Sequence, residues 1–265
     1  GLPAACEVHV GAHDSNACLV RYLHMAPLPQ PWPEALTVVS SGTWSVLMAP
    51  GAPVNTLVAE KDMLGNVDVT GRVTATARFM GGREFAAIAQ GADPHAASLE
   101  ALHSLVQSQT LALPSFAEQG GPFAGCRGVL QRHGQALDPQ EYSRFSPAER
   151  ATLAAVYCAQ MCAWLSGYLW AGCTAARRHI VVEGPLAQNP IYMQVLQALV
   201  PGTDCLASTD PLDGTARGAW LLTRWGHPEP AHTRPPAPCA VTGLPAYHAA
   251  WVAAVSALAA GNPQP

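Results

Sequence analysis

The sequence predicts an α/β fold in which a mixed sheet is flanked by helices. Short β-branched or apolar runs, such as residues 179–183, alternate along the chain with longer segments whose apolar residues recur at helical spacing. A glycine-containing turn can lead from such a run directly into a helix, as at 181–189. The 265 residues suffice for one large domain or two modest ones, each with its own core.

The predicted elements of the first half are mostly short strands up to residue 79 and helices after it. The hairpin among them is indicated by a β-branched run, a Ser-Gly-Thr turn and a second apolar run. In chain order the expected elements are a strand at 5–10, a helix at 15–24, a hairpin at 36–50, further strand at 64–79 with a turn at Gly71, helices at 81–90 and 95–109, and a glycine-rich loop at 119–128.

The second half is expected to be mostly helical. A strand at 179–183 leads into a helix with Asn189 as its N-cap and Pro190 in its first turn, and a further helix follows at 210–226. The predicted domain organisation is one domain at 1–226, a Pro-rich linker at 227–246, and a helix with a tail at 247–265. The last helix carries one apolar stripe, for which docking onto the body is the favoured interpretation and a partner surface the alternative: Tyr247, Trp251, Val255 and Leu258.

One uncharged stretch, residues 151–176, is long enough to span a bilayer. It consists mostly of Ala, Cys, Gly and Thr, with Gln160 inside, so it is only weakly apolar per residue. The preceding Ser146 and Glu149 form a capping-box pattern, with Pro147 at the first helical position. A long buried core helix is therefore favoured over a membrane-spanning one.

Composition argues against several kinds of partner. Hydrophobic residues make up 49% and charged residues 12% of the chain, which is typical of a globular protein rather than a disordered one. The net charge is −4 and the basic residues are scattered, so no nucleic-acid-binding surface is expected. None of the eight cysteines forms a C-x-x-C pair, which indicates free thiols and a reducing, cytoplasmic setting.

His13, Asp14 and Ser15 are the residue types of a hydrolytic triad, but they are consecutive. Consecutive side chains alternate faces in a strand and diverge by about 100° on a helix, so a triad is not expected. His9 and His13 have the spacing of zinc ligands on a helix. Gly11, in a strand-to-helix turn, argues against a helix there, so no metal site is predicted.

Asp14 on its own allows two interpretations. It falls where the predicted strand ends and the helix begins, where an Asp commonly caps the helix. The positive end of the helix would also keep its carboxylate ionised, which suits a base that accepts a proton from a hydroxyl group.

Two further turns have the composition of nucleotide-binding turns. The segment SSGTW at 40–44 offers hydroxyl groups and amides beside a glycine, and VVEGPLAQN at 181–189 runs from a strand into a helix N-terminus. Each signal is weak alone, because Ser-Gly-Thr turns are common in hairpins and the pattern G-x-x-x-x-G-K-[ST] is missing.

The order of these segments along the chain gives the stronger signal. Over about residues 5–226 the chain resembles the FGGY family of carbohydrate kinases, which are sugar kinases of the actin, hexokinase and Hsp70 superfamily. The HDS and SSGTW segments are most similar to rhamnulokinase and fuculokinase relatives. The segments that carry the resemblance are GAHDSNA (11–17), SSGTW (40–44), RFMGGREF (78–85), VVEGPLAQN (181–189) and DGTARGAWLL (213–222).

The resemblance implies an actin-like (ribonuclease H-like) ATPase domain that uses ATP and Mg²⁺ to phosphorylate a ketose, deoxyketose or polyol. No nucleic acid or membrane is implied as a partner, and a homodimer remains an open expectation. By match to the family's motifs, Asp14 would be the catalytic base, and His13 and Asn16 would lie near the sugar. Gly42 and Thr43 would contact the ATP phosphates, and Gly81 and Gly82 would begin a helix that faces those phosphates. The adenosine-binding turn would be formed by Gly184, Pro185 and Asn189.

Two departures from the family pattern qualify this expectation. Pro185 stands where the family has a second glycine, and proline has no amide to donate. The D-x-G-T phosphate loop of the family's first domain does not occur, so the chain is interpreted as the C-terminal portion of a kinase. The alternative is a non-catalytic or degenerate module of the same origin that binds nucleotide or a partner protein.

Overall fold

A mixed seven-stranded sheet forms the centre of the fold. The computed structural model describes residues 2–23, 35–173, 178–210, 214–227 and 229–261. The strands are β1 (Ala35–Ser41), β2 (Ser45–Pro50), β3 (Met63–Val67), β4 (Val73–Phe79), β5 (Thr110–Leu113), β6 (Val129–Arg132), β7 (Gln135–Ala136), β8 (Arg178–Glu183), β9 (Thr203–Ser208) and β10 (Thr233–Arg234). The helices are α1 (Asp14–Leu23), α2 (Gly81–Ala89), α3 (Leu99–Gln107), α4 (Pro139–Ser143), α5 (Pro147–Leu169), α6 (Pro190–Leu199), α7 (Gly214–Leu222) and α8 (Leu244–Gly261).

The large sheet has the strand order β10-β9-β8-β1-β2-β4-β3. Strand β1 pairs parallel with β8, and β8 pairs parallel with β9, while the remaining neighbours are antiparallel. This confirms the predicted mixed sheet, the β1–β2 hairpin and the turn at Gly71 between β3 and β4. A second sheet, with order β5-β6-β7, was not predicted.

Both faces of the central strands are buried. On β1, Val38 packs in a cluster with α1, whereas its neighbour Val39 packs in a larger cluster with the other helices. Val181 and Val182 on β8 divide in the same way. Because successive strand residues point to opposite faces, the apolar runs reflect a sheet covered on both sides, as predicted.

Helix α5 is a long core helix, as the favoured interpretation predicted. It begins at a complete Ser146–Glu149 capping box with Pro147 in the first turn. Most of its residues are buried, against α2, α3, α6 and the sheet. Among the described helices, none combines the length and the hydropathy needed to cross a bilayer.

Some predicted boundaries and one predicted strand differ from the structure. Residues 5–10 form no strand, and Val8 and Val10 are 88% and 96% exposed. Their alternating pattern requires a partner strand, and none pairs with them in the described part of the chain. Helix α3 begins at Leu99 rather than at 95, because Ser98 caps it and 94–96 form a separate 3-10 turn.

Parts of several predicted segments lie outside the described residues. They are 1, 24–34, 174–177, 211–213, 228 and 262–265.

The Pro-rich segment predicted as a linker is partly built into the body. Thr233 and Arg234 pair with β9 at the sheet edge, and α8 begins at Leu244, within the predicted linker. The prediction that the final helix docks onto the body is confirmed by its buried stripe. Tyr247 donates a hydrogen bond to the Thr110 carbonyl, and Trp251 Nε1 donates one to the Ala112 carbonyl at 2.8 Å.

Replacing Trp251 with Ala is expected to lower the free energy of unfolding by about 3–5 kcal/mol, because a fully buried indole is lost and a cavity remains. Trp220→Ala is the matched control, since Trp220 on α7 is 37% exposed and should cost less than about 1 kcal/mol. Denaturant unfolding of the two variants measures the difference. If Trp251→Ala lowered the free energy of unfolding as little as Trp220→Ala, α8 would contribute little to the stability of the body.

Candidate functional site

Two cavities meet at the turn between β1 and β2. The first, called here the Pro185 cavity, has a volume of about 550 Å³, and the second, the Asp14 cavity, has about 340 Å³. Ser41, Gly42 and Thr43 line both. The Pro185 cavity is also lined by Gly82, Arg83, Phe85, Ala86, Pro94, Pro185, Leu186 and Asn189. Further lining residues of the Asp14 cavity include His13, Asp14, Trp44, Arg78 and Thr215.

The shared wall is formed where helix α2 begins against the hairpin turn. The Gly82 amide donates to the Thr43 carbonyl at 3.2 Å, and a Cβ on Gly82 would lie 2.3 Å from the Gly42 carbonyl oxygen. Only glycine allows this approach. Gly81 is buried instead against Ser45 and does not line the cavity, so Gly82 is the glycine of this pair that faces the expected ligand.

The second wall of the Pro185 cavity is the turn after β8. Because β1 and β8 are parallel, with Ser40 in register with Glu183, both end at the same sheet edge. Gly184 has φ 82° and ψ −160°, a conformation that is essentially restricted to glycine. Ser41 ties the two turns together, since its hydroxyl donates to the Glu183 carbonyl and accepts the Leu186 amide at 3.1 Å.

Pro185 and Asn189 play different parts in that wall. Pro185 is exposed and begins a 3-10 turn, a position at which a missing amide costs no intrahelical bond. Asn189 caps α6 as predicted, because its Oδ1 accepts the Tyr192 amide at 3.0 Å. Its Nδ2 donates to the Pro94 carbonyl at 3.1 Å, so the side chain braces the wall from both ends.

Asp14 is exposed at the start of α1, in the Asp14 cavity. Its side chain is 74% exposed, and Oδ1 accepts the Ser15 amide at 2.6 Å. That bond goes to the next residue, and Asp14 is itself the first residue of the helix, so it is not an N-cap of the usual kind. The second oxygen, Oδ2, accepts no hydrogen bond from the described residues.

His13, Asp14 and Ser15 do come together, contrary to the expectation that their side chains point apart. His13 Nδ1 lies 2.8 Å from Asp14 Oδ1 and 2.8 Å from Ser15 Oγ. A triad requires the two partners on different ring nitrogens, and here both share one. Ser15 is also buried, so the structure excludes a triad for a different reason from the one predicted.

Asn16 is not brought to the cavity. Its Nδ2 donates to the Val67 carbonyl of β3 at 3.2 Å, and the residue does not line the Asp14 cavity. Of the residues predicted from the motifs, His13 and Asp14 therefore line the Asp14 cavity together with Gly42 and Thr43. Gly42 and Thr43 also line the Pro185 cavity, together with Gly82, Pro185 and Asn189.

A buried charged network fixes the frame behind both cavities. Arg21 of α1 donates to the Glu183 carboxylate and, at 2.9 Å, to Asp210 Oδ2. The Tyr22 hydroxyl also donates to Glu183, and burial, followed by the nearby Glu183 charge, holds the pKa of Tyr22 well above its usual value. The helix that presents Asp14 is thereby locked to the strand end that precedes Gly184.

This network was not predicted to serve the site, and Ser41 was expected there only as part of the SSGTW turn. Arg21 in an apolar helix and Glu183 at the end of a β-branched run were the available signals.

Solved structures of carbohydrate kinases share the fold of this chain. A carbohydrate kinase from Novosphingobium aromaticivorans aligns with 26% identity and a TM-score of 0.72, over 92% of this chain and 51% of that one. A xylulose kinase from Rhodospirillum rubrum aligns with 14% identity and a TM-score of 0.64, over 98% and 53%. The fold is therefore the actin-like, ribonuclease H-like fold, as expected, and the chain spans about half the length of these relatives.

Residues 33–232 match the family described as Carbohydrate kinase FGGY, C-terminal domain. The chain belongs to this family. The matched range contains the 41–43 turn, Gly82 and the 184–189 turn, but it begins after Asp14. No curated protein matches the chain in sequence.

Proposed function

We propose that this chain is the C-terminal portion of an ATP-dependent kinase that phosphorylates a sugar hydroxyl. The observation that carries the proposal is the junction of the two cavities at Ser41–Thr43. An exposed carboxylate lies in one cavity, and the other has the size and the apolar lining of a small-molecule site. This arrangement would hold a nucleotide with its terminal phosphate directed toward Asp14.

The adenosine of ATP would occupy the Pro185 cavity. Its walls include the apolar side chains of Phe85, Ala86 and Leu186, with Pro94 and Pro185 at the edges. The phosphates would follow Gly42, Thr43 and Gly82, at the positive end of the α2 dipole. In support, a Plasmodium falciparum glycerol kinase of this fold was solved with ADP. It aligns with 10% identity and a TM-score of 0.59, over 92% of this chain and 50% of that one.

Asp14 would act as the general base. Its Oδ1 is held by the Ser15 amide and His13, which leaves Oδ2 to accept the proton of the attacking hydroxyl. As that proton moves to Asp14, the sugar oxygen forms a bond to the γ-phosphorus and the bond between the γ-phosphorus and the bridging oxygen of ADP breaks. Phosphoryl transfer depends on such positioning more than on covalent catalysis.

The residues fit a magnesium ion that is held mainly by the nucleotide. Mg²⁺ in phosphoryl-transfer sites keeps several waters and needs only one or two carboxylates besides the phosphates. No group of three His, Cys, Asp or Glu in the described residues could hold a metal without the phosphates, so the phosphates and water would supply its ligands and Asp14 would stay free to act as the base. When bound, the ion would neutralise charge on the transferring group.

The acceptor is proposed to be a ketose, deoxyketose or polyol, with rhamnulose- and fuculose-type ketoses as first choices because of the HDS and SSGTW segments. His13 lies where it can contact that sugar, whereas Asn16 would have to release Val67 first. A cytoplasmic setting is proposed because all eight cysteines are free thiols.

Calorimetric titration of this chain with Mg-ATP is expected to give saturable binding, because the proposed nucleotide contacts lie within it. Pro185→Gly should bind more tightly, since it restores an amide at the turn. Absence of heat in both proteins would favour the alternative of a partner-binding module. Binding by Pro185→Gly alone would identify a degenerate nucleotide site.

A further inference from the structure

Arg78 of β4 lies on the wall of the Asp14 cavity and is held from two sides. Its Nε and Nη2 donate to Asp62 Oδ2 and Oδ1 at 3.1 and 3.0 Å, a bidentate ion pair. Its guanidinium carbon lies 5.0 Å from the centre of the Trp44 ring, which lines the same cavity. This fixed geometry lowers the conformational entropy that a ligand would have to remove from the side chain.

The two groups that hold Arg78 are themselves fixed by the loop at 119–128. Asp62 Oδ2 accepts the Gly121 amide at 2.9 Å. Trp44 packs so closely on Gly120 that a Cβ there would lie 2.4 Å from the ring. The arrangement is therefore supported beyond the cavity surface, unlike that of a solvated arginine whose position is set only by water.

One nitrogen of this guanidinium remains available. Nη1 has no hydrogen-bond partner among the described residues, and the side chain is 43% exposed. Arg78 is the one Lys or Arg among the described residues that line the Asp14 cavity, where the other titratable groups are His13 and Asp14. A neutral sugar offers no charge to match this cation, whereas a phosphate does.

We propose that Arg78 binds the terminal phosphate of the nucleotide and that Asp62 is its positioning residue. The proposal rests on the function proposed above, because Thr43 joins the Asp14 cavity to the cavity assigned to the nucleotide. During transfer the open nitrogen donates to an equatorial oxygen of the γ-phosphoryl group and stabilises its charge. No proton leaves Arg78, and Asp14 keeps the role of base.

The test compares Mg-ATP with Mg-ADP on this chain by calorimetry, without sugar. Arg78→Gln is expected to weaken Mg-ATP binding about tenfold or more, and Mg-ADP binding by less than about twofold, because only ATP carries the phosphate that Arg78 contacts. Arg78→Lys should recover part of the loss. Asp62→Asn should give a smaller loss with the same preference for ADP.

Arg132→Gln is the matched control. Arg132 is also paired with a carboxylate, that of Glu141, and lies 5.5 Å from the Phe145 ring, but it does not line either cavity. Its substitution should leave both affinities unchanged. Retained Mg-ADP binding in Arg78→Gln shows that this variant is folded.

The outcomes separate this inference from the proposed function. If the wild-type chain binds both nucleotides and Arg78→Gln weakens neither, or weakens both equally, the assignment of Arg78 is overturned while the nucleotide site stands. If the wild-type chain binds neither nucleotide, the proposed function and this inference fall together.

Discussion

Replacing Asp14 with Asn is expected to lower phosphoryl-transfer turnover by about 10²- to 10⁴-fold, the range that general-base catalysis contributes. Asn keeps the size of the side chain and its hydrogen bond with the Ser15 amide, but it cannot accept the hydroxyl proton at Oδ2. Mg-ATP affinity should remain close to that of the wild type, because Asp14 lies outside the Pro185 cavity. The loss should therefore fall in kcat and not in the KM for ATP.

Turnover is measured with Mg-ATP and a panel of ketoses and polyols, on a polypeptide that joins this chain to the first kinase domain we propose for it. Glu7→Gln is the control, since Glu7 is an 84% exposed carboxylate of the same N-terminal segment and does not line the Asp14 cavity. It should have no effect. Near-normal turnover in Asp14→Asn would remove Asp14 from the role of base.

Local signals predicted those elements whose ends are fixed by capping residues, glycine or proline. Asn189 with Pro190 marked the start of α6, and Ser146 with Pro147 marked the start of α5, because the capping bonds are made within a few residues. The strand at 5–10 was wrongly predicted from alternation alone. Alternation shows that a strand could bury one face, but pairing depends on another segment that the pattern does not identify.

The small second sheet was missed because two of its strands lack an alternating pattern. β6 is half-buried along its whole length and β7 has two exposed residues, so neither shows the alternation that reveals a strand. β6 pairs with β5, and β7 pairs with β6, but neither pairing has a local signal in the sequence.

The glycines of the site were predictable from the motifs, whereas the side chains that position them were not. Gly82 and Gly184 meet backbone of another segment, a steric demand that only glycine satisfies and that therefore appears in the sequence. Arg21 and Glu183 are 162 positions apart, and their ion pair has no local signal. Asn16 does not line the Asp14 cavity, because residues two apart on a helix differ by about 200° in direction.

Replacing Gly184 with Ala is expected to lower the free energy of unfolding by about 3 kcal/mol or more and to weaken Mg-ATP binding by more than about tenfold. The backbone there has φ 82° and ψ −160°, and a Cβ would lie 2.0 Å from the Ser41 carbonyl oxygen. Ser41 belongs to the turn that both cavities share, so relief of the clash must move the 41–43 and 184–189 walls apart.

Gly71→Ala separates backbone strain from this clash. Gly71 has the same φ of 82° in the β3–β4 turn, but nothing lies within 4 Å of the Cβ it would gain. It should cost only about 1–2 kcal/mol, the penalty of the left-handed conformation, and should leave Mg-ATP affinity unchanged. Denaturant unfolding and calorimetry of both variants measure the difference. If Gly184→Ala were as stable as Gly71→Ala and bound Mg-ATP normally, the contact between the two turns would not form the wall of the nucleotide site.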